Sequence, residues 1–316
     1  MFRFRSAQTG GRMKLKPSSI KDLQTALQNP QSPIEEVDLS ALNQLIEHVP
    51  EDMIATVQAG MTLGNFQTEL SKQSQWLPVD PPDTAVSISK LLDRNLNGPR
   101  RFGYGTLRDW LVGISVVLPD GRLIHNGSKV VKNVAGFDLC KLFIGARGSL
   151  GVIVEAIFKL SPRPEKEVFL RKQLSSLEDA DEMIGAVWNS NLSPSVLDLH
   201  QIDGRPLTLM LGLSGIAADV DKQAELARSF GLNVEAELEY DKVICAGNIS
   251  TLSIPPGRLI QHLKDLAPPS FVARAGNGII YMPCSDKPLT RKPSALEKRI
   301  KESFDANGMF PCYEPH

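Results

Sequence analysis

Residues 130–158 read VVKNVAGFDLCKLFIGARGSLGVIVEAIF. A Lys–Asn pair precedes one glycine, three more glycines fall between positions 145 and 151, and an apolar run follows at once. Glycine loses the most backbone freedom on folding, so this density marks tight turns, positive φ, or close approach by another group. Only Gly60 and Gly64 lie between Arg12 and Asn97, whereas ten glycines lie from Gly98 to Gly151. A turn of small residues leaves N–H groups without internal partners, and these can face an acceptor-rich ring or an anion. Residues 145–153 are therefore read as a shelf of unpaired main-chain amides, with Lys132 as a nearby cation. Taken alone, GARGSLG is explained at least as well by an ordinary turn, since short glycine motifs recur by chance.

Working outward, 316 residues with 42% hydrophobic content allow one large domain or two ordinary ones with a sizeable core. A formal net charge of −1 argues against nucleic acid or an electrostatically held membrane surface. No apolar run reaches membrane-span length, and the basic start MFRFRSAQTGGRMKLK has no apolar segment after it, so neither a span nor a secretory signal is expected. Cys140, Cys245, Cys284 and Cys312 are far apart and read as reduced thiols of a cytosolic protein, with no metal site. His48, His125, His200, His262 and His316 belong to no motif, and no acid–base residue stands out.

The periodicity predicts a helix in PSSIKDLQTALQ capped by Ser18 or Ser19, a strand in MIATVQAG, a helix in NFQTELSKQSQ and a break at PVDPPD. GISVVLPDGRLIHNG reads as a hairpin turning at Asp120–Gly121, DLCKLFI as a short helix, and VIVEAIFKL as a strand. SPRPE marks a boundary near residue 165. Beyond it come a strand KEVFLRKQL, a helix capped by Ser176 and Asp179, a hairpin turning at Asp203–Gly204, a helix over AADVDKQAELARSF, and a strand NVEAELEYDKV. This β-α-β-β-α-β order predicts a ferredoxin-like layer. An Asn277–Gly278 hairpin and a helix with Leu296, Ile300 and Phe304 on one stripe complete the chain.

NGPRRFGYGTLRDWLVG (97–113) puts Arg100 and Arg101 directly after the Gly98–Pro99 turn. Such a pair either holds phosphate through bidentate hydrogen bonds or lies solvated at the surface. A flavin would suit the whole set: its ring edge is rich in acceptors, it carries a pyrophosphate, and its reduced N1/O2 edge gathers charge that amides or Lys132 stabilise.

Together these segments resemble the FAD-binding domain of the PCMH-type, or vanillyl-alcohol-oxidase, superfamily, and within it the FAD-binding subunits of glycolate oxidases. Lys132, Asn133, Gly136, Phe137, Asp138 and Leu139 fill one family motif, and Gly148, Ser149, Leu150, Gly151 and Val152 another. PEDMIATVQAGMTLGNFQTEL and the late RIKESFDANGMF also match, with Ala306 where the family has Pro. The resemblance implies an α+β, two-subdomain PCMH-type FAD-binding fold over 1–164. A smaller ferredoxin-like α/β domain with its closing helix follows over 165–316. It implies non-covalent FAD held by Gly98, Pro99, Arg100, Arg101, Thr106, Lys132, Asn133, Gly136, Gly145, Gly148, Ser149, Gly151, Val152 and Ile153. It also implies 2-hydroxy-acid oxidation beside a larger flavin-bearing catalytic subunit and an iron–sulfur subunit, in a cytoplasmic or membrane-peripheral complex.

Two departures weigh against tight FAD binding. The family's first phosphate loop is a glycine cluster after the first helix, but here NPQSPIEEVDLSALNQL contains no glycine. Near Ser89–Lys90, where relatives carry Gly-Gly, this chain has ISKLLDR, whose side chains would collide with a backbone-hugging pyrophosphate. A non-catalytic relative, acting as an assembly or regulatory partner, is the alternative these departures support.

Overall fold

A computed structural model describes residues 12–127, 139–235, 237–244, 248–284 and 292–312. Candidate residues Lys132, Asn133 and Gly136 lie outside the described residues, as do Cys245 and His316.

The chain opens with a parallel βαβ unit: β1 (Met13–Leu15), α1 (Ile20–Gln28) and β2 (Ile34–Val37). Ser19 caps α1 by accepting a hydrogen bond from the Asp22 amide at 3.1 Å. Leu23 and Leu27, four apart, are its fully buried face. Only five residues separate α1 from β2, and β2 pairs directly with β1. The glycine-free interval noted in the sequence thus leaves a sheet of two strands.

β3 (Leu45–Val49), β4 (Ile54–Gln58), α2 (Leu63–Ser71), β5 (Gln75–Trp76), α3 (Ile88–Asp93), α4 (Arg101–Tyr104) and α5 (Leu107–Trp110) follow. Then come β6 (Leu111–Val117), β7 (Leu123–Gly127), α6 (Leu139–Phe143), β8 (Val152–Lys159) and β9 (Ser161–Pro162). Five of these strands form an antiparallel sheet ordered β3-β4-β8-β6-β7. β8, the strand quoted at the outset, is its middle member. Val152, Ile153, Val154, Ala156 and Phe158 are buried there, which explains its near-continuous apolar run. The β6–β7 turn sits at Gly121, with φ +81°, against α1; a Cβ there would come within 2.6 Å of the Gln24 carbonyl oxygen.

The second half builds one seven-stranded antiparallel sheet. Its elements are β10 (Lys166–Gln173), α7 (Leu177–Trp188), β11 (Val196–Gln201), β12 (Thr208–Gly215), α8 (Ala217–Ser229), β13 (Val234–Glu235) and α9 (Tyr240–Ile244). After them come β14 (Ile249–Ser253), α10 (Leu259–Leu266), β15 (Phe271–Arg274) and β16 (Ile279–Pro283). The strand order is β13-β10-β12-β11-β15-β16-β14, so the layer is wider than the four strands expected from the sequence. Helices α7, α8 and α10 cover one face around Leu170, Leu209, Leu211 and Leu213. α9 covers part of the other around Met210 and Val272.

The expected strand over NVEAELEYDKV is realised only at β13. Tyr240 and Ile244 bury together at helical spacing, and the Tyr240 hydroxyl donates to Asp198 Oδ2 at 2.6 Å. Tertiary anchoring therefore overrides the alternating pattern. α11 (Ala295–Phe304) returns to the first core rather than the second. There Phe304 meets Phe143 edge to face at 5.7 Å, and Ile300, Phe304 and Met309 pack with β8 and α6 residues. Leu296, expected on the same stripe, is 63% exposed.

Phe304→Ala should therefore destabilise the protein by roughly 2 kcal/mol, less than for a fully buried ring. Leu296→Ala should stay within about 0.5 kcal/mol of wild type. Urea unfolding of both variants checks this.

Candidate cofactor site

The turn between α6 and β8 is built from left-handed residues: Gly145 has φ +81°, Arg147 +54° and Gly148 +68°. Its amides are not unpaired, contrary to the sequence expectation. Gly145 N donates to Leu92 O and Arg147 N to Asp93 O, both at 2.9 Å. Asp93 Oδ2 lies beside Gly148, 3.9 Å from where a Cβ there would stand. Ala146 N and Ser149 N close local turns to Phe143 O and Ala146 O. β8 then starts, and Val152 and Ile153 sit in register with Val117 and Val116 of β6. The acceptors at the heart of the shelf come from the C-terminal end of α3, where Leu92 O also accepts from Asn95 N at 3.1 Å. Gly151 is required for a different reason: a Cβ there would come within 2.9 Å of Val117 O and Val116 Cγ1.

α3 delivers its negative end, and a carboxylate, to this turn. Burial pushes the Asp93 carboxyl up to about 7, although the Ser89 hydroxyl, the Gly148 amide and the Arg94 charge all favour the ionised form. Beside the turn a cavity of about 180 Å³ opens toward α11, lined by Arg108, Lys141, Gly145, Ser149, Glu297 and Lys301 among others. Ser149 is 1% exposed, and its Oγ has no hydrogen-bond partner. Lys301 Nζ crosses from α11 to Ser149 O at 2.7 Å, and also bonds Asp305 and Phe310 O.

The segment 98–106 serves a different place. Arg100 is held by Asp80 at 3.1 Å and bidentately by Glu167 of β10, with both contacts at 2.9 Å. Its guanidinium also lies over Trp76 and Phe169. Asp80 is driven up to about 7 by burial, against the pull of Arg100 and Arg274. Gly98 packs on Asp80, where a Cβ would lie 1.7 Å from its carbonyl oxygen. Thr106 forms a capping box with Asp109. α4 docks on the second sheet through Gly103 N to Ser195 O at 3.1 Å and Tyr104 to Ser214 at 2.8 Å. Arg101 Nε is buried without a hydrogen-bond partner. A groove of about 510 Å³ runs past Trp76, Asp80, Arg100, Arg163 and Glu167 between the two cores. The candidate residues thus divide: Gly145 and Ser149 line the smaller cavity, and Arg100 the groove.

Sequence reading passed over Asp80, Asp93, Glu167 and the buried trio Asp198–Arg274–Asp241. The signal for Asp93 is ISKLLDR itself, a charged segment where the resemblance expects glycine. The described histidines show no poised acid–base pair. His125 hydrogen-bonds Ser115, which also donates to Glu155 across three strands. His200 stacks on Tyr240, and burial pushes it down to about 4.

Residues 31–127 match the family model described as FAD binding domain. Over these residues the chain is similar to that family. The glycolate oxidase subunit GlcD of Bacillus subtilis is 34% identical over 158 residues, covering 50% of this chain and 34% of that protein. The glycolate oxidase subunit GlcE of Escherichia coli is 31% identical over 149 residues, covering 46% and 43%. The D-lactate dehydrogenase of Anaerostipes hadrus is 28% identical over 165 residues, covering 52% and 35%. The chain therefore spans less than half the length of these relatives. A solved alkyldihydroxyacetonephosphate synthase superposes with TM-score 0.67 at 15% identity, over 94% of this chain and 76% of that one. The fold is shared across both halves.

Whether the described residues fit FAD has two answers. At the turn, a Cβ on Gly145 or Gly148 would meet nothing nearer than 3.6 and 3.9 Å, so that side is open, and Ser149 Oγ and the basic rim suit an acceptor-rich ligand. At the diphosphate end the fit fails. Leu92 O and Asp93 O take the Gly145 and Arg147 amides, and about 180 Å³ is below the ~300–1,000 Å³ of typical ligand pockets.

A buried carboxyl raised to about 7 from a free value of 3.8 stabilises the fold fully below about pH 4 and loses that contribution as pH rises through 7. Asp93→Asn should therefore melt higher than wild type near pH 8, with the gap shrinking toward pH 5. Thermal melts across this range test the sign, and a gap independent of pH would count against it.

Proposed function

We propose that the chain is an FAD-binding, GlcE-like component of a glycolate-type 2-hydroxy-acid dehydrogenase. The observation that carries this is the FAD-binding-domain match over 31–127 together with two glycolate oxidase subunits among the relatives. In this reading residues 1–164 are the PCMH-type domain. Residues 165–284 are a second domain, whose strands β10 to β13 follow the ferredoxin-like spatial order, and α11 with the residues after it rejoins the first.

FAD, when bound, supplies two-electron acceptance from the hydroxy acid. Gly145, Gly148, Ser149, Gly151, Val152 and Ile153 would hold and orient the ring edge. Lys132, Asn133 and Gly136 would approach from the segment before α6. Gly98, Pro99, Arg100, Arg101 and Thr106 would act from the separate groove past Asp80 and Arg100. No described side chain is assigned to move a proton, so this chain's part is binding and positioning. The hydroxy acid would be oxidised in a complex with a larger flavoprotein and an iron–sulfur subunit, peripheral to a membrane or cytoplasmic. Among the described residues no helix is long and apolar enough to cross a membrane.

One observation favours a second reading. Asp93 fills the turn, and Arg100 is committed to Asp80 and Glu167. A relative that keeps the fold, binds FAD weakly or not at all, and serves as an assembly or regulatory partner fits those contacts.

The visible spectrum separates the two. The first reading expects flavin absorption in the purified chain after FAD addition and desalting, and its loss in Gly148→Val, whose side chain would crowd a left-handed turn. The second expects a colourless chain that nevertheless co-purifies with a GlcD-like flavoprotein when the two are co-expressed.

A further inference from the structure

One guanidinium serves two carboxylates where the two units meet. Arg100 bonds Glu167 of β10 bidentately, with both contacts at 2.9 Å, and Asp80 of its own unit at 3.1 Å. The Arg100 amide also donates to Asp80, and Gly98 lets the backbone close on that residue. Behind this group the same two-to-one pattern recurs: Arg274 of β15 lies between Asp198 of β11 and Asp241 of α9, all three buried. Asp80 is close enough to feel the charges of Arg274 and Asp241. These ion pairs set four carboxylates against two guanidiniums, and desolvated like charges resist being ionised together. The other charged groups nearby do not remove the surplus. Lys166 is paired with Asp221, Glu165 accepts the Ala217 amide, and Arg163 stands exposed at the groove's edge. Arg101 lies near Tyr281, and Tyr104 bonds Ser214. Asp80 is the member that yields: burial pushes its carboxyl up to about 7, so a proton there removes one surplus charge near neutrality.

We propose that Arg100 is a proton-sensitive latch between the two units: it holds the groove past Trp76 shut while one of its two carboxylates is neutral, and slackens when both are charged. With Asp80 neutral, Arg100 and Glu167 form an undivided pair across the junction. With Asp80 ionised, a surplus negative charge is buried near Asp241, and parting the units relieves it by admitting water. A carboxyl held above its free value stabilises the docked state at low pH, and that contribution fades as pH rises toward 7. The groove of about 510 Å³ between the units is what opens. The latch is independent of whether the chain binds FAD.

Hydrogen exchange at the Gly103 amide, which crosses to Ser195 O at 3.1 Å, reports docking directly. The full chain is measured as wild type, Asp80→Asn, Glu167→Gln and a surface control, Glu225→Gln, after thermal melts confirm folding. Exchange is followed by mass spectrometry from about pH 5.5 to about pH 8 and corrected for the intrinsic rate. Wild type and the control should lose about tenfold protection at Gly103 over this range, while strand β8 keeps its own. Asp80→Asn, neutral at every pH, should hold the low-pH protection throughout. Glu167→Gln, which weakens the bond between the units and leaves Asp80 a partner to itself, should be poorly protected at both ends of the range. If Asp80→Asn does not fold, wild type and Glu167→Gln decide: an equal loss with pH in both overturns the proposal. Wild-type protection that does not change with pH, or the same loss in Asp80→Asn, also overturns it. So does a loss shared by β8, which is unfolding of the whole chain rather than opening of the junction.

Discussion

The architecture around the candidate site depends on one docking event: the C-terminal end of a six-residue helix, α3, enters the glycine turn between α6 and β8. The helix end presents the carbonyls of Leu92 and Asp93, and the turn presents the amides of Gly145 and Arg147. Each satisfies the other. That exchange buries Leu91 and Leu92 under β8 and sets the position of Asp93. It also gives ISKLLDR a structural role where the family resemblance leads one to expect glycines. A helix whose side chains fill the core replaces a loop that would have lain open to a ligand.

The two cores are joined by polar contacts beside one apolar one, Phe102 packing on the second core against Trp188. Arg100 reaches from one unit to Glu167 of the other while retaining Asp80, and behind it Arg274 is enclosed by Asp198 and Asp241. Burying charge in this way adds little net stability, but removal of one partner leaves the rest uncompensated. The interface is therefore selective about geometry. Gly98, Gly103 and Gly276 admit Asp80, Ser195 and Phe102 to distances that a side chain would forbid.

Much of this was legible in advance. Apolar residues at helical spacing mark α1 and α2, and Asp–Gly or Asn–Gly turns mark the hairpins at 120–121, 203–204 and 277–278. The glycine cluster is legible as a tight turn, but its amides are paired rather than open. Its occupant was not legible, because Leu92 and Asp93 lie more than fifty residues upstream and nothing local to either segment announces the pairing. Likewise, the tandem arginines read as phosphate binders or surface residues because Glu167, which takes up Arg100, belongs to another unit. β13 and α9 were misread as one strand because alternation was visible and the Asp198 and Arg274 anchors were not.

Residues 300–310 complete the first core: Ile300, Phe304, Met309 and Phe310 pack into it, and Met309 O accepts the Ile34 amide at 2.7 Å. The second unit is thus spliced into the middle of the first. During synthesis the nascent chain must keep the βαβ unit and five-stranded sheet waiting, partly uncovered, until some hundred and thirty intervening residues have left the ribosome. Premature termination anywhere in the second unit would release a protein with an unsealed apolar seam, which quality-control proteases would recognise before any partner did.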